Sequence, residues 1–266
     1  MKEILEGLWS AAASALGTID MAGKMRITSV EIGLVNSFWA LIRIVGLGLT
    51  VIFFLMEMNR AWLYEGREMN ARTFITPFFK LAVAVGVLSV SGRLVTWILQ
   101  GCNSLIYQAD RIVLSDTVST DPTTSPFGNS VNLWQFISFI IPVLLFVLIS
   151  YIISFVFLYK ALVFKLEFML RLCATPIAFA DIYSGQNSLA VRWAKGLFAM
   201  GLYGALLILI PKIGAVYLGG IMAEYQVDGI GIGIILRSAC AAIVVPIAEI
   251  GAMGVARTVS KEALGA

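Results

Sequence analysis

Long apolar segments alternate with short polar connections along most of this 266-residue chain. Five segments stand out, and each is long enough to cross a bilayer core of about 30 Å as a helix of about 20 residues. They cover residues 35–56, 74–99, 136–159, 197–217 and 230–253. Because they are continuously apolar rather than alternating, they favour helices over the strands of a membrane barrel. The pattern predicts an all-α membrane protein with a polytopic domain at residues 35–256.

Residues 1–34 have a different pattern, in which apolar and polar positions share one segment. Leu5, Leu8 and Trp9 recur at three- and four-residue steps opposite charged side chains, which predicts an amphipathic helix. This apolar face needs a partner. The pattern leaves two alternatives open, the membrane surface and a groove on another protein.

The third apolar segment continues without glycine or proline through residues 143–175. A helix of that length, at 1.5 Å per residue, measures about 50 Å and exceeds the hydrocarbon core. We therefore expect the third helix to extend to about residue 175 into the cytoplasm, so that its lower part protrudes or bends. Lys160, Glu167 and Arg171 alternate in sign along this extension, which is typical of a wetted helix face.

Cations gather in every second connection between the apolar segments. Those connections hold Arg60, Arg67, Arg72, Lys160, Lys165, Arg171, Arg192 and Lys195. The opposite connections offer Arg111 and Lys212. The positive-inside rule then predicts an external amino terminus, an extracytoplasmic loop at residues 107–133 and a short cytoplasmic tail at residues 257–266.

The composition agrees with a membrane protein and disfavours most enzyme classes. Hydrophobic residues make up 59% of the chain and charged residues 13%, against about 25% charged in soluble domains. Histidine is absent, which removes the commonest general base and zinc ligand. The three cysteines stand far apart, and the net charge of +3 is too small to indicate nucleic-acid binding. We predict a non-enzymatic protein with no catalytic, metal or cofactor residues, and leave bound phospholipid open.

Four charged residues fall inside the apolar segments, and each is a candidate for a packing or pore role. They are Arg43, Arg93, Arg237 and Glu249. A charge at bilayer depth costs several kcal/mol on an isolated helix, so we expect each to face protein or water. The alternative for Arg93, Arg237 and Glu249 is that their side chains reach the nearer membrane interface.

The segment from Arg171 to Ile210 resembles the most recognisable part of the TrbL-type inner-membrane subunits of type IV secretion systems. In that family a long membrane helix ends in a cation, and then come a small-residue and proline turn, a polar link and a tryptophan or lysine before the next span. Arg171, Pro176, Trp193 and Lys195 stand in this order. Residues 74–106 also resemble the family's second span, and the likeness extends over about residues 35–260 as a matter of pattern and order.

The resemblance implies a multi-pass protein of the bacterial inner membrane that works in conjugation or secretion at the base of the pilus or stalk. We expect a scaffold or channel subunit that forms a homo-oligomeric ring. Its expected partners are membrane lipid, pilin or stalk subunits, other inner-membrane secretion subunits and a secretion ATPase, without sequence-specific contact to nucleic acid. The alternative is a small-solute transporter or channel that acts by itself.

Overall fold

The computed structural model describes residues 2–17, 21–65, 71–112, 133–182, 188–226 and 232–265. These residues are about 95% helical and contain no strand. The helices are α1 (Lys2–Gly17), α2 (Met21–Met25), α3 (Ser29–Glu65), α4 (Ala71–Arg111), α5 (Leu133–Cys173), α6 (Thr175–Phe179), α7 (Leu189–Gln226) and α8 (Ile232–Leu264). The predicted all-α architecture is confirmed.

Five of these helices are long and apolar enough to cross a membrane, as the sequence predicts. They are α3, α4, α5, α7 and α8, and each coincides with one predicted segment. The helices continue beyond the apolar segments; α4, for example, extends to Arg111 rather than ending at residue 99. Backbone hydrogen bonding persists into polar flanks, whereas hydropathy marks only the part suited to lipid.

Parts of the predicted topology lie outside the described residues. These parts include Arg67 and positions 113–132, which make up most of the predicted extracytoplasmic loop. The predicted tail at residues 257–266 is largely helical, because α8 continues to Leu264.

The third apolar helix is as long as predicted. With 41 residues, α5 measures about 62 Å at 1.5 Å per residue. Phe164, Phe168 and Leu172 in its last turns are buried, so one face of this part of the helix packs within the chain. The alternating charges predicted a wetted face but give no information about what covers the opposite face of the helix.

The described residues group into two compact units, each built from separate parts of the chain. The first consists of Met1–Met25, Ile106–Val163 and Gly204–Thr258, and the second of Arg26–Leu105, Phe164–Tyr203 and Val259–Ala266.

In the first unit, α1 packs on helices of its own chain. Leu5 and Trp9 are buried in a cluster with Val143 and Phe146 of α5 and alanines of α8. The rings of Trp9 and Phe146 lie 4.8 Å apart between centroids, and Leu8 packs on the same cluster. The apolar face was expected to meet the membrane surface or another protein, but its neighbours here are intramolecular. Periodicity identifies an apolar face without specifying what covers it.

In the second unit, α3 and α4 form an antiparallel pair. Phe54 contacts Phe78 near one end of the pair, and Trp39 contacts Gly92 farther along it. Residue numbers therefore increase along α3 in the direction in which they decrease along α4. The short helix α6 packs against α3. A small buried cluster of Leu88, Phe179 and Ala190 joins α4 to the segment around α6.

The start of α3 is fixed by a capping box. The Glu31 backbone N–H donates to Thr28 Oγ1 at 3.4 Å, and the Thr28 backbone N–H donates to Glu31 Oε2 at 2.8 Å. The side-chain amide of Asn103 on α4 then binds both backbone groups of Ile27, at 3.3 Å each. Asn103 thereby holds the start of α3 against α4.

Candidate functional site

The four residues that carry the family resemblance all belong to the second unit, in the segment 171–196 that links α5 to α7. We call this segment the α5–α7 turn. Arg171 donates from Nη2 to Glu167 Oε1 at 3.1 Å, one helical turn back along α5. A Cβ added to Gly196 would lie 3.1 Å from Arg171 Nη1, so the guanidinium lies directly against α7.

Pro176 begins the short helix α6 and lies against α3. Proline suits the first turn of a helix because its missing N–H has no helical acceptor there. A Cβ added to Gly46 would lie only 2.7 Å from the Pro176 carbonyl oxygen, so the backbones of α3 and α6 are almost in contact. Only glycine at position 46 allows this approach without a shift of one helix.

Trp193 packs inside the turn. Its ring meets Phe179 edge-on, with centroids 5.7 Å apart. The start of α7 just before it is capped, because the Val191 N–H donates to Ser188 Oγ at 3.3 Å and the Leu189 N–H donates to Asp181 Oδ2 at 3.3 Å. These contacts fix the direction in which α7 leaves the turn.

Lys195 is exposed on α7, in contrast to the packed positions of Pro176 and Trp193. Its Nζ would lie 3.9 Å from a Cβ added to Gly265, which ends α8 with a φ of 59°. A lysine beside the carboxyl end of a helix interacts favourably with the helix dipole. Lys195, in the first turns of α7, therefore lies beside the last turn of α8.

Arg43 faces α4 within the second unit. Its guanidinium carbon lies 5.6 Å from the ring centroid of Trp39, and Nη2 lies 3.5 Å from Ser89 Oγ, the limit of a hydrogen bond. Its Nε is buried and has no hydrogen-bond partner among the described residues. Arg43 thus faces protein on at least one side, as expected for a charge at this position in an apolar helix.

The other three intramembrane charges have different surroundings. Arg93 on α4 and Arg237 on α8 are exposed on the chain. Glu249 on α8 is buried with 9% of its surface exposed, and it lies against Gly214 of α7. Arg43 and Arg93 belong to the second unit, and Arg237 and Glu249 to the first.

Sequence reasoning missed an ion pair between Glu31 and Lys165, at 2.7 Å within the second unit. The capping sequence Thr-x-x-Glu was visible, but nothing in the sequence paired it with a lysine on another helix. The predicted topology places Glu31 outside and Lys165 in the cytoplasm. The two residues of an ion pair must lie at the same depth in the membrane. Glu31 cannot be outside while Lys165 is in the cytoplasm if this contact forms.

Sequence reasoning also missed the role of Lys212 in the first unit. Its Nζ donates to the carbonyl oxygens of Ala109, at 3.2 Å, and Ile112, at 3.3 Å, and also to that of Asp110. The Asp110 carboxylate lies 3.6 Å away. Lys212 therefore satisfies the free carbonyls at the end of α4 and ties that end to α7.

Taken together, these contacts pair and position helices. Within the described ranges, no three His, Cys, Asp or Glu side chains lie close enough to hold a metal ion. Comparison of the chain with family models, curated proteins and solved structures gave no match. The function of this protein is therefore inferred from its own residues and their contacts.

Proposed function

We propose that this protein is a non-enzymatic inner-membrane subunit of a type IV secretion or conjugation machine, where it acts as a scaffold or channel component. The observation that carries the proposal is the α5–α7 turn. Its sequence has the order of residues typical of TrbL-type subunits, and the same residues make its helix-to-helix contacts: Arg171 on Gly196, Pro176 on Gly46 and Trp193 on Phe179.

The uneven burial of the apolar helices supports a role in assembly. Over an apolar stretch of 18 residues within Leu189–Leu218 of α7, half of the positions are buried, against 11% over such a stretch within Met21–Arg60, which contains most of α3. Apolar helix faces that the chain leaves uncovered are available to lipid and to neighbouring subunits. We propose that α3 faces outward in a homo-oligomeric ring, with pilin or stalk subunits and a secretion ATPase as further partners.

The proposed orientation has the amino terminus outside and the carboxyl terminus in the cytoplasm, as the distribution of cations favours. An odd number of spans also requires termini on opposite sides. The ion pair between Glu31 and Lys165 requires both residues to lie at one depth, so the proposal keeps the positions of the two termini but not a cytoplasmic position for this part of α5. Reporter fusions at the two termini test the orientation.

The test of function is cross-linking of the tagged full-length protein in native membranes, with the products identified by mass spectrometry. We expect a ladder of homo-oligomers together with secretion subunits. An unrelated multi-pass protein expressed at the same level controls for random collisions. A strictly monomeric product without secretion subunits would contradict the proposal, and saturable solute uptake by the purified protein in vesicles would favour the stand-alone transporter.

A further inference from the structure

Glu249 is a buried acidic residue in the middle of an apolar helix. It lies on α8 (Ile232–Leu264), 15 residues before the end of the helix, or about 22 Å along its axis. Only 9% of its surface is exposed on the chain. The neighbouring positions on α8 are mainly apolar, and α8 is one of the five helices suited to a membrane.

The Glu249 side chain fills a space left by a glycine on α7. A Cβ added to Gly214 would overlap the carboxyl group, with Oε1, Cδ and Cγ all in its way. The carboxyl group therefore packs directly against the backbone of α7 at Gly214. A larger residue at position 214 and the Glu249 side chain cannot occupy the same space.

No charge balances this carboxyl group within the part of the chain that the structure describes. The ion pairs among the described residues all involve other carboxylates. Lys212 is only two residues from Gly214, but its ammonium group binds the carbonyls at the end of α4 and the Asp110 carboxylate. Arg237 on α8 is exposed and twelve positions away.

An ionised carboxylate without a partner is costly at such a place. Removing a charge from water costs several kcal/mol, and hydrocarbon around the helices supplies neither a donor nor a counter-charge. Proton uptake removes this cost and leaves the shape of the side chain unchanged. The neutral acid also has a hydroxyl donor that the carboxylate lacks.

We propose that Glu249 is an intramembrane proton-binding site, in which the neutral carboxylic acid packs on Gly214 and holds α7 and α8 together. The ligand is a single proton, taken up by a carboxylate oxygen to give the uncharged acid. This inference is independent of the proposed function, since any multi-pass protein could contain such a site.

Infrared spectroscopy tests the protonation state directly. The purified full-length protein is labelled with carbon-13 glutamate and measured in a detergent without ester groups. We expect an isotope-shifted carbonyl band of an un-ionised carboxylic acid that disappears in Glu249→Gln. The band should persist in Glu57→Gln, because Glu57 is paired with Lys80 at 2.8 Å. Absence of the band in the wild type, or its persistence in Glu249→Gln, would overturn the proposal.

Thermal unfolding in detergent tests the packing. Glutamine has the shape of the neutral acid, so Glu249→Gln should keep the midpoint within about 3 °C of the wild type. Gly214→Ala should lower it by about 4–10 °C, because its methyl group overlaps the carboxyl group. Gly220→Ala on the same helix is the control, since a Cβ there meets nothing within 4 Å. If Glu249→Gln lowered the thermal midpoint as much as Gly214→Ala, the charge of Glu249 would be required for stability and the proposal would be wrong.

Discussion

Single glycines decide how closely the helices of this protein approach one another. At three of the described glycines an added Cβ would lie less than 3 Å from another helix: Gly46 at Pro176, Gly201 at Cys102 and Gly214 at Glu249. Others, such as Gly48 and Gly220, meet nothing within 4 Å of an added Cβ. In lipid, helices associate through close packing rather than a hydrophobic driving force, so these contacts contribute to the stability of the helix pairs.

Gly46→Ala should destabilise the docking of α6 on α3. The added methyl group would lie 2.7 Å from the Pro176 carbonyl oxygen, and backbone cannot rotate away as a flexible side chain can. We expect a loss of about 1–3 kcal/mol, seen as a lower thermal midpoint of the purified protein in detergent. Gly48→Ala, two residues along the same helix, should leave the midpoint unchanged or raise it slightly. Equal effects from the two substitutions would argue against the close contact.

Helices in this protein are joined by apolar faces and by polar contacts near their ends. The face of α1 illustrates the first kind, with Leu5 and Trp9 buried against α5 and α8. The start of α3 illustrates the second, with a capping box, the Asn103 amide and the Lys165 ammonium all within a few residues. Both kinds of contact predict measurable consequences.

Trp9→Ala should release α1 from the first unit. The indole ring is 2% exposed and lies on Phe146, so its loss leaves a large cavity and costs about 3–5 kcal/mol. We expect a protease to remove the amino-terminal segment faster from Trp9→Ala than from the wild type in detergent. Ile4→Ala is the matched control, because Ile4 on the same helix is 56% exposed. Unchanged cleavage in Trp9→Ala would mean that α1 is not held by this face.

Lys165→Met should destabilise the second unit more than Lys80→Met does. Lys165 is 12% exposed in its pair with Glu31, whereas Lys80 and Glu57 are each 36% exposed in theirs. Removal of Lys165 leaves a partly buried Glu31 carboxylate without its cation, at a cost of about 1–3 kcal/mol. The more exposed pair should contribute less than about 1 kcal/mol. Thermal midpoints of the two variants make the comparison, and a larger loss in Lys80→Met would contradict the structure.

The molecule as a whole presents an apolar exterior over most of its helices. Large hydrophobic side chains remain more than half exposed on α3, α4 and α5, including Ile44 at 73%, Trp97 at 67% and Phe155 at 69%. A soluble monomer rarely exposes apolar patches of this extent, whereas lipid covers them at no cost.

The protein should therefore remain in the membrane pellet after extraction with alkaline carbonate and enter solution only with detergent. Five apolar helices of membrane-spanning length give it the partitioning of a multi-pass protein. A peripheral protein held by charge provides the control, because carbonate releases it. Recovery of this chain in the soluble carbonate fraction would contradict the membrane assignment.

Hydropathy predicted the five long helices well, since the pattern depends on lipid and is local to each segment. It placed the end of α5 within a few residues and missed the carboxyl end of α4 by more, because polar residues continue that helix. The site was less predictable. Arg171, Pro176, Trp193 and Lys195 were identified by their order, but their contacts with Gly196, Gly46, Phe179 and Gly265 join positions distant in sequence.

The order of residues alone was enough to establish that this chain is helical and apolar enough for a membrane, because hydrophobic length and periodicity are properties of consecutive residues. Which faces are covered, and by what, became known only from the arrangement of the helices in space. The partner of Trp9 proved to be Phe146, that of Lys165 proved to be Glu31, and Glu249 proved to lie on Gly214. Such pairings join residues far apart in the chain, and no local pattern encodes them.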